Sequence, residues 1–344
     1  MTTRLTRRSL LGVTALSLTG ILAACGRESA PPAVETGPSL ASPTPVLDDT
    51  RFQGILEQLV EALGAADEAR DASLLPPRVT GSAAEFRQAT YELIAKVEEH
   101  ASALQRPSAT LVVPVASTNE DFPRYALALV NDSNESGLPF FVGLQQADAR
   151  SDYTSWGWAR QAAGVDMPSV PGTGTGAEQV APDAEGLVMP PAQALAKYAE
   201  ILSHGHDNMD PEDQVAEDPF QQSVHQEIQT ERQQINEGVD YDEVATVHEA
   251  YSVKEGEYLA LRTAEGGAVV MGTLNSTRTL SVRSGSIAYE EDNLFTRVAG
   301  TKEFSTEIVR TYGSTVLLHV PTADSGQKIQ PIGAYKVLLS VSGS

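Results

Sequence analysis

The sequence predicts an α+β protein of two tandem units, each with N-terminal helices packed on a curved antiparallel sheet. Three observations predict it. Apolar residues recur first at helical spacing and then at a period of two; this order occurs twice along the 344 residues; and a stretch rich in Pro and Gly separates the two runs. Helices grouped ahead of strands, rather than alternating with them, argue against a βαβ fold.

The first helix opens near Thr50, where Phe52, Ile55, Leu56, Leu59, Val60 and Leu63 form one stripe. Pro76 and Pro77 bar any helical continuation. A second helix opens at Ser82, with Glu85 three residues on in the spacing of a capping box, and ends at Pro107. The period then changes. Leu111, Val113 and Val115 alternate, as do Tyr125, Leu127 and Leu129, and strands are expected again at 140–144 and 153–158. These make a first unit over 51–163. Residues 164–191 hold five prolines and Gly172-Thr173-Gly174-Thr175-Gly176, and are expected to link the units. The glycines do not make a phosphate loop, because neither a Lys-Ser/Thr pair nor a flanking strand accompanies them.

The second unit, 192–344, repeats the order. Pro191 opens a helix carrying Leu195, Tyr198, Ile201 and Leu202. Asp218 caps the next, with Pro219 at its first position and Phe220, Val224, Ile228 and Ile235 on one stripe. Seven strand-like segments come after it: 244–252, 257–263, 268–274, 279–283, 307–311, 315–320 and 335–341.

The first 50 residues read differently. Arg4, Arg7 and Arg8 precede an apolar run from Leu10 to Leu22, shorter than the ~20 residues of a membrane span. The run ends in Leu22-Ala23-Ala24-Cys25, which resembles the bacterial lipobox. That resemblance implies a signal peptide over 1–24, a diacylglyceryl thioether on Cys25 and cleavage after Ala24. Cys25 is the only cysteine, so it has no internal disulfide partner. Thr6-Arg7-Arg8-Ser9-Leu10-Leu11 resembles a twin-arginine export motif carried by Arg7 and Arg8; general export of a leader with two adjacent arginines is the alternative. Residues 25–50, with Pro31, Pro32, Pro38, Pro43 and Pro45, are then a tether reaching at most ~75 Å at ~3.1 Å per residue. The expected location is the cell membrane, lipid-anchored and facing outside the cytoplasm.

The formal charge of −22 becomes more acidic once the leader's arginines are removed. Such a surface repels nucleic acid and anionic headgroups, so the membrane partnership rests on the lipid of Cys25. The other expected partner is an envelope protein or a small ligand.

Candidate chemistry is sparse. His204, His206, Asp207 and Asp210 lie in the densest polar cluster; they form a weak calcium or zinc site or a solvated acidic loop, and the absence of a ligand spacing favours the loop. Tyr91, Tyr125, Trp156 and Trp158 line a cavity of the first unit or fill its core. Ser325-Gly326-Gln327-Lys328 lacks the companion motifs of a penicillin-binding enzyme. No catalytic residue and no cofactor is assigned.

The order of elements behind a lipobox and a proline tether resembles uncharacterised actinobacterial lipoproteins, most closely at Asp218-Pro219-Phe220 and Leu317-Leu318-His319-Val320-Pro321. Each unit is similar to the nuclear-transport-factor-2-like or cystatin-like α+β cone. The resemblance implies no activity, since that cone hosts both enzymes and interaction modules. The expected function is a lipid-anchored binding module. A cone-fold enzyme acting on a small hydrophobic substrate and a structural envelope protein are the alternatives.

Overall fold

Asp48 starts the first helix by accepting the Arg51 amide at 2.8 Å. This helix, α1 (Asp49–Ala69), buries Phe52, Leu56, Leu59 and Leu63, the stripe read from the sequence. These observations come from a computed structural model that describes residues 43–118, 121–134, 137–204 and 214–344. Cys25, Arg7, Arg8, His206, Asp207 and Asp210 lie outside the described residues.

The second helix, α2 (Gly81–Lys96), departs from expectation at its start. Thr80 is the capping residue and its side chain makes no capping bond to the helix, so Ser82 and Glu85 do not form a capping box. Glu257, distant in sequence, instead accepts the Ser82 amide at 2.7 Å. Lys254 draws Glu85 away, at 2.7 Å, and also donates to the Ser82 hydroxyl at 2.9 Å. A carboxylate supplied across the fold thus meets the open amides and positive end of the helix.

Four strands come next as an antiparallel meander: β1 (Pro107–Ala116), β2 (Arg124–Asp132), β3 (Phe140–Gln146) and β4 (Thr154–Gln161). The order then repeats. Helices α3 (Pro191–His204) and α4 (Pro219–Ile235) precede β5 (Ala245–Arg262), β6 (Ala268–Val282), β9 (Glu307–Val320) and β10 (Gln330–Gly343). Between β6 and β9 stand the two-residue β7 (Ile287–Ala288) and β8 (Glu303–Phe304), flanking the short α5 (Leu294–Ala299). Asp218 caps α4 as the sequence predicts, accepting the amides of Phe220 and Gln221 at 2.8 and 3.2 Å. Its other oxygen takes the Tyr198 hydroxyl at 2.9 Å and so ties α3 to α4.

The seven strand segments expected in the second half are four longer strands. Segments 244–252 and 257–263 join as β5 across a register shift between Val253 and Tyr258, 268–274 and 279–283 join as β6, and 307–311 and 315–320 join as β9. The gaps at 275–278 and 312–314 stay paired in the ladder, whereas 254–257 bulge out of it.

Among the described residues the architecture is α+β, with few helices and one large antiparallel sheet of order β1-β2-β3-β4-β10-β9-β6-β5. The two meanders are therefore halves of one sheet, joined where Gly333 and Ala334 pair with Gln161 and Arg160. One face of each half packs against the other: Leu127, Leu129 and Phe141 share a buried cluster with Leu259, Leu261, Val269, Met271 and Leu317. Close approach requires Gly143, where a Cβ would lie 2.6 Å from the Met271 sulfur. The opposite faces carry helices. α1 and α2 cover one half with a cluster that includes Phe140, Val142 and Trp158, and α3 and α4 cover the other over Val270, Val316 and Leu318.

The segment expected to be a linker between units is bonded to both edges of this sheet. Ala177 donates to Ala116 at 2.8 Å and accepts from Thr118 at 2.9 Å beside β1. Val180 donates to Ala260 at 3.0 Å and Glu178 accepts from Arg262 at 2.9 Å beside β5. Edge strands that would otherwise present free amides are thereby paired at one end.

Two glycine substitutions with opposite expected signs test this packing. Gly313 sits on β9 where a Cβ would overlap the Phe86 ring of α2, whereas nothing lies within 4 Å of a Cβ at Gly54 in α1. Gly313→Ala is expected to lower unfolding stability by ~1–3 kcal/mol through overpacking. Gly54→Ala is expected to raise it by ~0.5–1 kcal/mol. Urea unfolding reads both, and an unchanged midpoint for Gly313→Ala would unseat α2 from β9.

Candidate functional site

From Asn275 onward, burial along β6 alternates: Ser276, Arg278 and Leu280 are buried while Asn275 and Thr277 are exposed. Here the sheet extends beyond its self-packed region, and α4 covers only one face. Charged residues occupy that covered face. Glu249 of β5 pairs across the ladder with Arg278 of β6, and Arg278 with Arg310 of β9, so three charges stand in one cross-strand row. The adjacent row holds Tyr251, Ser276, Tyr312 and Leu338.

Glu249 is the deepest member, its side chain fully buried. It accepts from the Ser276 hydroxyl at 2.6 Å, from Arg278 Nε at 2.7 Å and from Lys336 Nζ at 2.7 Å. Burial pushes its carboxyl upward, but the charges of Lys336 and Arg278, with hydrogen bonds from Lys336 and Ser276, outweigh burial and hold it at about 2. Lys336 also donates to the Tyr251 hydroxyl at 3.0 Å and lies 4.2 Å from the Tyr312 ring centre. Burial lowers its ammonium to about 8 despite the opposing pull of Glu249. Burial, followed by the Glu249 charge, pushes the Tyr251 phenol far upward, so it stays a neutral donor and acceptor.

Helix α4 closes the network from above. Glu227 and Glu231, one helical turn apart, face the sheet together. Glu227 accepts from Arg278 Nη2 at 2.9 Å, and Glu231 accepts from Arg310 Nη2 at 2.6 Å while lying 4.0 Å from Arg278. Three acids and three bases thus neutralise one another between sheet and helix.

Glu227, Glu231, Arg278 and Arg310 of this network line a groove of about 1000 Å³ beneath α4. Its charged lining is Glu227, Glu231, Arg278 and Arg310, beside Tyr312. Its apolar lining is Ile235, Val244, Ile287, Tyr289, Leu294 and Phe295, from α4, the residue before β5, the β7 segment and α5. A second hollow of about 370 Å³ shares Ser223 and Glu227 with it and reaches Lys336, Arg160 and His100. Such an arrangement can orient an amphipathic molecule, its polar end on the guanidinium groups and its body on the aromatic wall.

The aromatic residues proposed from the sequence do not share one cavity. Tyr91 donates to Asp67 at 2.7 Å between α1 and α2, and burial, reinforced by that bond, raises its phenol. Trp158 packs in the same helix-covered cluster, with Arg87 over its ring at 5.3 Å. Trp156 belongs instead to the cluster between the half-sheets, which Tyr125 borders. Two residues apart on a regular strand, the tryptophans would face the same way; the β3–β4 ladder shifts register between Gly143 and Gln145, and such a shift redirects side chains. His204 is the exposed last residue of α3. Among the described residues no group of three or more His, Cys, Asp or Glu side chains is placed to hold a metal, and no helix is long and apolar enough to cross a membrane.

The groove residues were not singled out by sequence. The signal available was Val247-x-Glu249-x-Tyr251, an alternating strand with an acid on its apolar face, and the basic interruptions at Arg278 and Arg310.

Fold and site together define a class: an α+β protein with a helix-covered sheet and an ion-paired groove under one helix. The chain belongs to the family described as "Domain of unknown function (DUF8094)", whose model matches residues 43–339. No curated protein and no solved structure matches it.

The network makes stability depend on pH in a defined sense. Glu249 falls from an ordinary 4.5 to about 2 on folding, so its contribution is complete above pH 4.5 and is lost as the pH drops through about 2. Glu249→Gln leaves Arg278 and Lys336 buried without their shared anion and is expected to cost ~3–5 kcal/mol at pH 7. The gap between wild type and variant should narrow between pH 5 and pH 2, as protonation makes the wild type resemble the amide. Urea titrations at several pH values measure this; a gap that stays constant would remove the carboxylate charge from the account.

Proposed function

We propose that this protein is a lipid-anchored binding module facing outside the cytoplasm, and that the groove beneath α4 receives a small ligand or a segment of an envelope partner. The observation that carries the reading is the groove itself, lined by paired charges and by the aromatic residues Tyr289 and Phe295. Its volume suits a small organic molecule, and sites of this kind combine apolar walls with a few placed polar groups. By contrast, the space between the half-sheets is filled by Leu, Val, Phe and Trp, which leaves the outer, helix-covered face for binding.

The position of the first described residues is compatible with this use. The start of the folded unit is held where Val46 donates to Ser117 at 2.8 Å, next to Ala177 and the Leu261 end of β5. Glu249 lies up to ~40 Å further along that strand at ~3.3 Å per residue. The first described residues therefore lie at the end of the sheet away from the groove.

We also read the repeated helix–helix–meander order as two units of one architecture, each similar to the nuclear-transport-factor-2-like or cystatin-like cone and fused through β4 and β10. The symmetry of the strand order about that junction supports this. The alternative reading, an enzyme acting on a small hydrophobic substrate, finds its best support in Lys336, whose ammonium lies near neutrality in a buried setting. Its engagement by Glu249 favours binding over proton transfer.

Two experiments test the proposal. Thr230 is exposed on α4 and lines the groove. Thr230→Trp is expected to fill the groove and abolish the thermal shifts that a panel of amphipathic small molecules produces in the wild type. Hits retained by the variant would place binding elsewhere. Separately, Cys25→Ser is expected to move the protein from the membrane fraction to the soluble extracytoplasmic fraction; continued membrane association would overturn the anchor.

A further inference from the structure

We propose that the groove recognises a carboxylate-bearing ligand with a short apolar or aromatic body, its carboxylate docking on Arg310 and Arg278. This rests on the reading of the groove as a binding site and adds the ligand's chemistry.

Arg310 carries the argument. Arg310 lines the groove with a side chain 3 % exposed; one of its nitrogens is engaged by Glu231, and its buried Nε has no hydrogen-bond partner. A buried guanidinium N–H without an acceptor is costly. The unmet capacity at the buried wall is a donor, so the ligand that completes it brings an acceptor. An anionic oxygen is the strongest acceptor available, and the planar guanidinium edge matches a carboxylate.

Arg278 supplies a second donor by exchange. Its Nη2 is held by Glu227, whose side chain is 55 % exposed, whereas its Nε is held by the fully buried Glu249. Glu227 therefore swings into solvent readily and Glu249 does not. With Glu227 out, Arg278 Nη2 and Arg310 Nε are free in the same groove; their residues are cross-strand partners and both guanidinium groups reach Glu231. The incoming carboxylate replaces the Glu227 charge, so the balance of three acids and three bases is preserved. Phe295 stacks 4.9 Å from the Arg310 guanidinium carbon and begins the apolar wall through Leu294, Tyr289 and Ile287, which sets the body of the ligand. A cationic ligand fits less well, because Glu227, Glu231 and Glu249 are already engaged by bases.

The test uses the full-length chain in phospholipid nanodiscs, with empty discs as the blank, titrated calorimetrically with 3-phenylpropanoate, 3-phenylpropan-1-ol and 3-phenylpropylammonium. The acid is expected to bind at least ~10-fold tighter than the alcohol, the ammonium ion weakest. Arg310→Lys keeps the charge but removes the Nε edge, and should erase that preference. Glu227→Gln removes the competing carboxylate and should tighten acid binding by ~3–10-fold, the opposite sign from a merely damaged site. Because Glu227 is exposed, this variant keeps the test decisive if Arg310→Lys fails to fold. Equal binding of acid and alcohol, both abolished by Thr230→Trp, would overturn the carboxylate assignment while the binding groove stood. Weaker or unchanged acid binding in Glu227→Gln would also overturn it. No binding of any probe at about 10 mM would overturn the assignment as well, and the groove would then be judged by the small-molecule panel alone.

Discussion

Everything in this fold depends on a short ladder. Gly333 and Ala334 of β10 pair with Gln161 and Arg160 of β4, and these few bonds make one sheet of two meanders. Once joined, the half-sheets turn one face toward each other, and Leu, Val, Phe and Met from both fill the space. The burial is dry and close, with Gly143 admitting the Met271 side chain. The helices are then left to the two outer faces, and the 177–180 segment seals the edges at one end.

The same arrangement explains where charge can be buried. The self-packed part of β6, Ala268–Leu274, is enclosed on both faces and is apolar apart from Thr273. Beyond it, the extended strands have a solvent face and a face under α4, and only there do Glu249, Arg278, Arg310 and Lys336 occur together. An ion in that position is tolerable because partners surround it: Glu249 has three donors, and each guanidinium meets a carboxylate from α4. Had α4 carried apolar residues in place of Glu227 and Glu231, Arg310 would lose its carboxylate partner and Arg278 would keep Glu249 alone, already shared with Lys336. Helix position and charge network therefore specify each other, and the groove is the space between them.

Helices are legible where their signals are local. The stripe from Phe52 to Leu63 and the Asp218-Pro219 start of α4 need nothing from elsewhere in the chain. The start of α2 is not legible in the same way, because its cap, Glu257, lies 175 residues away from Ser82 and no local motif encodes it. Apolar periodicity breaks the strands of the second half at polar residues such as Ser276, Arg278 and Tyr312, and these breaks are where the site lies. A polar residue inside a strand looks like a boundary when the partner that neutralises it is unknown. Likewise Tyr91, Tyr125, Trp156 and Trp158 share a residue type but not a cavity, since a register shift separates the tryptophans onto different clusters.

By itself, the sequence determined the α+β class, the repeated order of helices and strands, the Asp218 cap of α4 and the acidity of the chain. Those properties arise from periodicity and from contacts a few residues apart. Only the tertiary structure decided that the two meanders share one sheet, that the proline-rich segment binds both sheet edges, and that Glu249, Arg278, Arg310 and Lys336 converge beneath α4. These are pairings between distant strands, and their free energy comes from burial and Coulombic partners that exist only once the chain has closed.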